Sequence, residues 1–265
     1  MLLINPKTTS DTYSEVVFIY CYDSYLYYLY IFCYYFKKEG GYKMKEKKLF
    51  ITGIIFIISF IIWTILIQTV DVQSVGVNGT NIGFATINIW FHKLTGENMM
   101  IYHITDWMGI IPILGCIFFG ILGFIQLIRR KSLFKVDFDI ILLGGYYIVV
   151  VIAYLFFEMI PINYRPILIE GIAEVSYPSS TTLLVLSVML TVSFQNNRRT
   201  KKVILRKRVD AFVVLFLLFI VIGRTVSGVH WITDIIGSVI FSVGLYLIYN
   251  STVMMLDKKK LTEEI

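Results

Sequence analysis

Residues 49–70 read LFITGIIFIISFIIWTILIQTV, a run without Asp, Glu, Lys or Arg that follows the basic segment Met44-Lys45-Glu46-Lys47-Lys48. A helix needs about 20 apolar residues to cross a hydrocarbon layer ~30 Å thick, so this run reads as a membrane span. Five further runs of similar kind follow at 106–128, 139–158, 179–196, 209–225 and 231–251. The chain is therefore expected to be an all-α integral membrane protein, a bundle of six transmembrane helices. The fifth run is the weakest, because Asp210 and Arg224 stand near its two ends. Composition points the same way: of 265 residues 57% are hydrophobic and 16% charged, with mean hydropathy +0.74, whereas a soluble domain carries about one charged residue in four. Disordered chains and disulfide-knit secreted scaffolds are excluded on the same figures. Of the three cysteines, Cys21 and Cys33 lie in one apolar run. On a single helix they would stand ~18 Å apart, too far to bridge.

The net charge of +6 is distributed as a topology signal. From Lys43 onward, Lys and Arg collect at 43–48, 129–135, 198–208 and 258–260, eighteen in all. The alternate loops hold only Lys93, Arg165 and Arg224. Basic residues in short loops favour the cytoplasmic side, so both termini of the six-helix unit are expected there, with 71–105, 158–178 and 224–230 facing out. That one-sidedness accounts for the positive charge without nucleic acid as a partner. Residues 44–256 form the expected membrane domain and 257–265 a cytoplasmic tail. Residues 1–43 differ in vocabulary, holding ten of the eighteen tyrosines. They read either as an extra aromatic anchor helix or as sequence upstream of a true start at Met44.

Chemistry must then come from the few polar residues on the outward side. In Gly223-Arg224-Thr225-Val226-Ser227-Gly228-Val229-His230-Trp231-Ile232-Thr233-Asp234, the histidine and the last aspartate are four apart at the start of a helix. That spacing puts them on one face, where a carboxylate can hold one ring nitrogen and leave the other free to attack. Taken alone, the pair equally describes an interfacial histidine beside a helix-start aspartate. Two more segments belong with it: Asn163-Tyr164-Arg165-Pro166, and Ser176-Tyr177-Pro178-Ser179-Ser180-Thr181-Thr182 at the head of the fourth run. The topology brings two helix N-termini to this side, and their amides and dipoles favour an anion. Pro-Ser-Ser also reads simply as a capped helix start. In the first long loop, Phe84, Ile87, Phe91 and Leu94 share a helical face expected to lie along the membrane surface.

These three segments, in this order, resemble the type 2 phosphatidic acid phosphatase superfamily, whose signature is Lys-x6-Arg-Pro, Pro-Ser-Gly-His and Ser-Arg-x5-His-x3-Asp. Arg224, His230 and Asp234 match the third motif in type and spacing, and Arg165-Pro166 and Pro178-Ser179 match parts of the first two. Glu158 stands where the first motif has Lys, Ser180 where the second has Gly, and Thr181 where it has His. The resemblance implies a phosphohydrolase acting through a phosphohistidine, with His230 as nucleophile and Asp234 as its orienter. Arg165 and Arg224 would then bind phosphoryl oxygens, helped by Ser179 and Ser180. No cofactor or metal is implied, and no ligand spacing suggests one.

The departures at Glu158 and Thr181 shape the functional expectation. Threonine cannot protonate a leaving alkoxide, a step commonly worth ~10²- to 10⁴-fold. Glu158 repels phosphate if it enters the pocket. Glu174 is a candidate substitute acid, and so are Glu170, His103 and Asp106. The leading reading is a membrane lipid phosphate or diphosphate phosphatase that acts on the outer side and prefers a diphosphate, whose leaving group needs no proton. The alternative is a catalytically silent relative that binds a phosphorylated lipid or scaffolds a partner. Membrane lipids and a phosphorylated lipid are the partners implied, and no particular protein partner is.

Overall fold

The computed structural model describes residues 46–263, so the expectations for residues 1–43 lie outside it. The apolar runs become α1 (Glu46–Thr69), α4 (Ile110–Arg130), α5 (Phe138–Met159), α6 (Ser180–Arg199), α7 (Val203–Val226) and α8 (Ile232–Glu263). Two short helices, α2 (Ala85–Thr95) and α3 (Met99–Trp107), fill the first long loop. Large apolar side chains such as Ile58, Ile62, Ile121, Ile152, Leu215 and Ile222 are exposed along the long helices. A belt of that size is costly in water and is satisfied by lipid, and backbone bonds inside each helix suit the same medium. The protein is a multi-pass, all-helical membrane protein.

Five stretches are long and apolar enough to cross a membrane: Glu46–Thr69, Met99–Arg130, Phe138–Met159, Val203–Val226 and Ile232–Thr262. The expected fourth span, now α6, is not among them, while α7, the weakest on sequence grounds, is. The reason lies in the packing. α6 contacts α4, α5, α7 and α8, and its Thr182, Ser187, Thr191, Ser193 and Gln195 are all buried. A helix ringed by other helices shows lipid almost nothing, so its side chains need partners more than hydropathy. Thr191 meets Tyr147 Oη at 2.8 Å, and Gln195 donates to Tyr249 Oη at 2.5 Å. Asp210, the charge that weakened the α7 reading, accepts from Ser193 at 2.5 Å and from Asn197 at 3.0 Å.

α8 is the organising helix, packed on α1, α5, α6 and α7. Gly53 of α1 and Gly244 of α8 face each other's helix at van der Waals range, where an added Cβ would press on Ile248 or on Phe56 and Ile57. Small residues of this kind let two helices in lipid approach closely. At one end of the bundle, Asp139 is buried between Arg198 and Arg199 at 3.3 and 2.8 Å. At the other end the three long connections meet. Asn98 N–H donates to the Ser227 carbonyl at 2.9 Å, and Asn163 donates to Asp234 at 3.3 Å.

α2 is anchored by polar side chains. Asn88, 1% exposed, donates to the Gly83 carbonyl and the Thr233 hydroxyl, and His92 Nε2 lies 3.0 Å from the Gly228 carbonyl. Leu94 of the expected apolar face is instead exposed.

Candidate active site

Each functional side chain at the junction is placed by a local device. Residues 163–165 pair antiparallel with 174–176 through the Tyr164–Val175 bridge, Arg165 N–H to the Glu174 carbonyl and Ser176 N–H to the Asn163 carbonyl, both 2.9 Å. Alternation along this short hairpin turns Asn163 and Arg165 inward, at 1% and 7% exposure. The turn from α7 to α8 closes at Gly228, whose φ is +70°. Only glycine fits there, since a Cβ would run into the Gly96 carbonyl. The segment before α6 is pinned by Tyr177, buried against Phe60 and bonded to Thr64 Oγ1 at 2.7 Å.

These devices converge on His230, which is buried. Its Nδ1 lies 3.1 Å from the Ser176 carbonyl, and its Nε2 lies 3.2 Å from Arg224 Nη2. A carbonyl only accepts and a guanidinium only donates, so the proton sits on Nδ1 and the lone pair on Nε2. Asp234 Oδ2 is 3.8 Å from Nδ1. That carboxylate, fully buried, accepts instead from the Trp231 N–H at 3.1 Å and, through Oδ1, from Asn163. Burial pushes His230 well below its ordinary value, and the charges of Arg165 and Arg224 push it further, against the Ser176 carbonyl. The ring is held neutral, as a nucleophile must be.

Arg224 is 0% exposed, and Arg165 lies across from it. Their Cζ atoms are 4.9 and 5.5 Å from the Tyr102 ring centroid. Arg165 Nε is 3.0 Å from Glu174 Oε2, and Arg224 Nη1 is 3.4 Å from Asp106 Oδ1. Arg165 Nη1 and Arg224 Nε are buried without a hydrogen-bond partner. Two buried guanidinium groups with spare donors, converging beside a histidine lone pair, form a preorganised anion cradle.

The other sequence candidates separate. Ser179 is fully buried and serves packing: its hydroxyl meets Thr182 Oγ1 at 3.0 Å, and its carbonyl accepts from Ser238. Ser180 lines a small recess together with Glu158, Tyr154 and Phe157. Glu158 is exposed at the end of α5. Thr181 donates to Asp106 Oδ1 at 3.4 Å. His103 is exposed beside Tyr102, and Glu170 sits at positive φ in the turn between Ile169 and Ile172. Sequence reasoning missed the Ser176 carbonyl, Asn163 and Tyr102. Asn163 lay inside a quoted segment, a backbone carbonyl leaves no trace in sequence, and Tyr102 resembles any interfacial aromatic.

A profile of the PAP2 superfamily matches residues 138–258, which hold every group of this site except Tyr102 and Asp106. This segment of the chain belongs to the PAP2 superfamily. A solved structure of similar fold is the transmembrane PAP2-type phosphatidylglycerolphosphate phosphatase from Bacillus subtilis, with a TM-score of 0.51 and 17% sequence identity. The match covers 78% of this chain and 96% of that one. At that identity the likeness is one of fold. No curated protein sequence matches the chain. His230 and the two arginines lie together inside the matched segment, whereas Tyr102 and Asp106 reach them from α3, outside it.

Proposed function

We propose that this protein is a membrane lipid phosphate or diphosphate phosphatase working through a phosphohistidine at the outer face of the membrane. The observation that carries the reading is the His230 lone pair on Nε2 beside two buried guanidinium groups with unpartnered donors. In the proposed reaction Nε2 attacks phosphorus, a P–N bond forms, and the bond to the leaving oxygen breaks. Arg165 and Arg224 take the developing charge on the phosphoryl oxygens. The ring becomes a cation, which the Ser176 carbonyl and the Asp234 carboxylate stabilise from the Nδ1 side. Water then cleaves the P–N bond and releases phosphate. The fold neighbour's named substrate is a lipid phosphate, which supports that substrate class here. The Lys/Arg distribution supports the outward location.

The silent-relative reading draws on Glu174 and Asp106, each already paired with one of the phosphate-binding arginines. Phosphate release from a panel of lipid phosphates and diphosphates, with His230→Ala alongside, separates the two. Release that depends on His230 supports the enzyme, and arginine-dependent binding without release supports the silent relative.

A further inference from the structure

Arg224 spreads its two terminal nitrogens toward different partners: Nη2 to His230 Nε2 at 3.2 Å and Nη1 to Asp106 Oδ1 at 3.4 Å. A phosphoryl group seated on that fork therefore has the nucleophile on one side and a carboxyl group on the other. In an in-line displacement the leaving oxygen departs on the side opposite the nucleophile, the Asp106 side. Resting on the phosphatase reading above, we propose that Asp106 is a catalytic residue of this site, the proton donor to the leaving oxygen and the acceptor from water in the second step.

Asp106 is positioned for both steps. It lies in the last turn of α3, before the break at Met108 and Gly109, and its own carbonyl accepts from the Gly109 N–H at 2.9 Å. Thr181 Oγ1, at the head of α6, donates to the same Oδ1 at 3.4 Å. The side chain is 53% exposed, so water reaches it. The other acids are placed differently. Glu174 is held to Arg165 through Nε, Glu158 lies in the recess beside Ser180, and Glu170 sits in the turn between Ile169 and Ile172, outside the ion pairs and hydrogen bonds of Arg224 and His230. Among the described residues, Asp106 is the carboxyl that shares a guanidinium with His230.

The charged and titratable groups around Asp106 are Arg224 on α7, Arg165 and Glu174 on the hairpin, His230 at the α7–α8 turn, and Tyr102 and His103 on its own helix. An arriving phosphate takes over the Arg224 fork and faces Asp106 with like charge. Two such anions do not both stay ionised in one site, so the carboxyl takes up a proton with the substrate. That proton passes to the leaving alkoxide as the P–O bond breaks and the P–N bond forms. In the second step the Asp106 carboxylate takes a proton from water as hydroxide adds to phosphorus and the P–N bond breaks. One ester and one water give one alcohol and one hydrogen phosphate, with Asp106 and His230 restored.

The test uses the full chain in detergent micelles with two probes, a phosphatidate, whose alkoxide needs a proton, and p-nitrophenyl phosphate, whose leaving group does not. Asp106→Asn is expected to lower kcat on phosphatidate ~10²- to 10⁴-fold, to change p-nitrophenyl phosphate turnover by less than about tenfold, and to abolish the alkaline limb of the phosphatidate kcat profile. Asp106→Glu, which keeps a carboxyl, is expected to retain that limb and most of the activity, and it carries the test if the asparagine variant does not fold. An Asp106→Asn enzyme that matches wild type on phosphatidate, or that loses both substrates equally, overturns the proposal. A wild type that releases phosphate from neither probe nor from a polyprenyl diphosphate overturns the phosphatase reading and the role of Asp106 with it, whereas one active on the diphosphate alone overturns the role of Asp106 and leaves the phosphatase reading standing.

Discussion

Replacing Arg224 by lysine keeps the charge and removes the fork, and the structure gives the expected size of the effect. The guanidinium contacts His230 Nε2 and Asp106 Oδ1 through two different nitrogens and leaves Nε as a spare donor. One ammonium cannot reproduce that spread, nor the planar contact with Tyr102 at 4.9 Å. At least one transition-state donor is lost, which costs roughly 10²- to 10³-fold in kcat, or about 2.7–4 kcal/mol. The residue is fully buried, so solvent does not screen the loss. The assay is phosphate release from a lipid phosphate in micelles, with kcat and KM measured separately and the unfolding midpoint checked. A folded Arg224→Lys enzyme within threefold of wild type would refute the claim that the fork acts on the transition state.

His230 is held below its ordinary value, so the unfolded chain takes up a proton on acidification before the folded one does. Stability should therefore be constant above pH ~6.5 and fall by up to about 1.4 kcal/mol per pH unit below it; His230→Gln should flatten that part of the thermal-unfolding profile, and an unchanged slope would contradict the neutral ring. Gly228→Ala places a methyl group against the Gly96 carbonyl at a left-handed φ, so it should cost at least about 1–2 kcal/mol in unfolding and misplace both Arg224 and His230. For orientation, in a background without the native cysteines, Ser74→Cys should react with an impermeant thiol reagent in intact cells and Lys201→Cys should not; the reverse pattern would put the site on the cytoplasmic side.

The fold was legible where helices meet lipid and illegible where they meet each other. α1 could be read directly because most of its isoleucines, such as Ile51, Ile55, Ile58 and Ile62, face outward and hydropathy records that exposure. α6 has the opposite surface, with Thr191, Ser193 and Gln195 answered by Tyr147, Asp210 and Tyr249 from neighbouring helices. Partners so distant in sequence cannot be inferred from the run itself. The same blindness applies to α2, whose Asn88 and His92 look like solvent-facing residues until Thr233 and Gly228 arrive beside them.

At the site, the residues that could be named in advance are those whose spacing along one helix or turn already encodes their geometry, as with Arg224, His230 and Asp234. What sequence could not supply is the relation between connections. The ring nitrogen expected to face Asp234 lies closer to the Ser176 carbonyl, at 3.1 against 3.8 Å, because the 163–165 and 174–176 hairpin brings that carbonyl over α8. In the proposed reaction Asp234 keeps a role there: a carbonyl fixes the tautomer but carries no net charge to meet an imidazolium. The two acceptors thus divide the task that spacing alone assigned to one. Arg165 and Arg224 show a parallel division, each held by its own carboxylate, Glu174 or Asp106. Of the two, Asp106 shares its guanidinium with His230, so the contact that offsets the charge of Arg224 is also the one that puts the proposed proton donor beside the nucleophile.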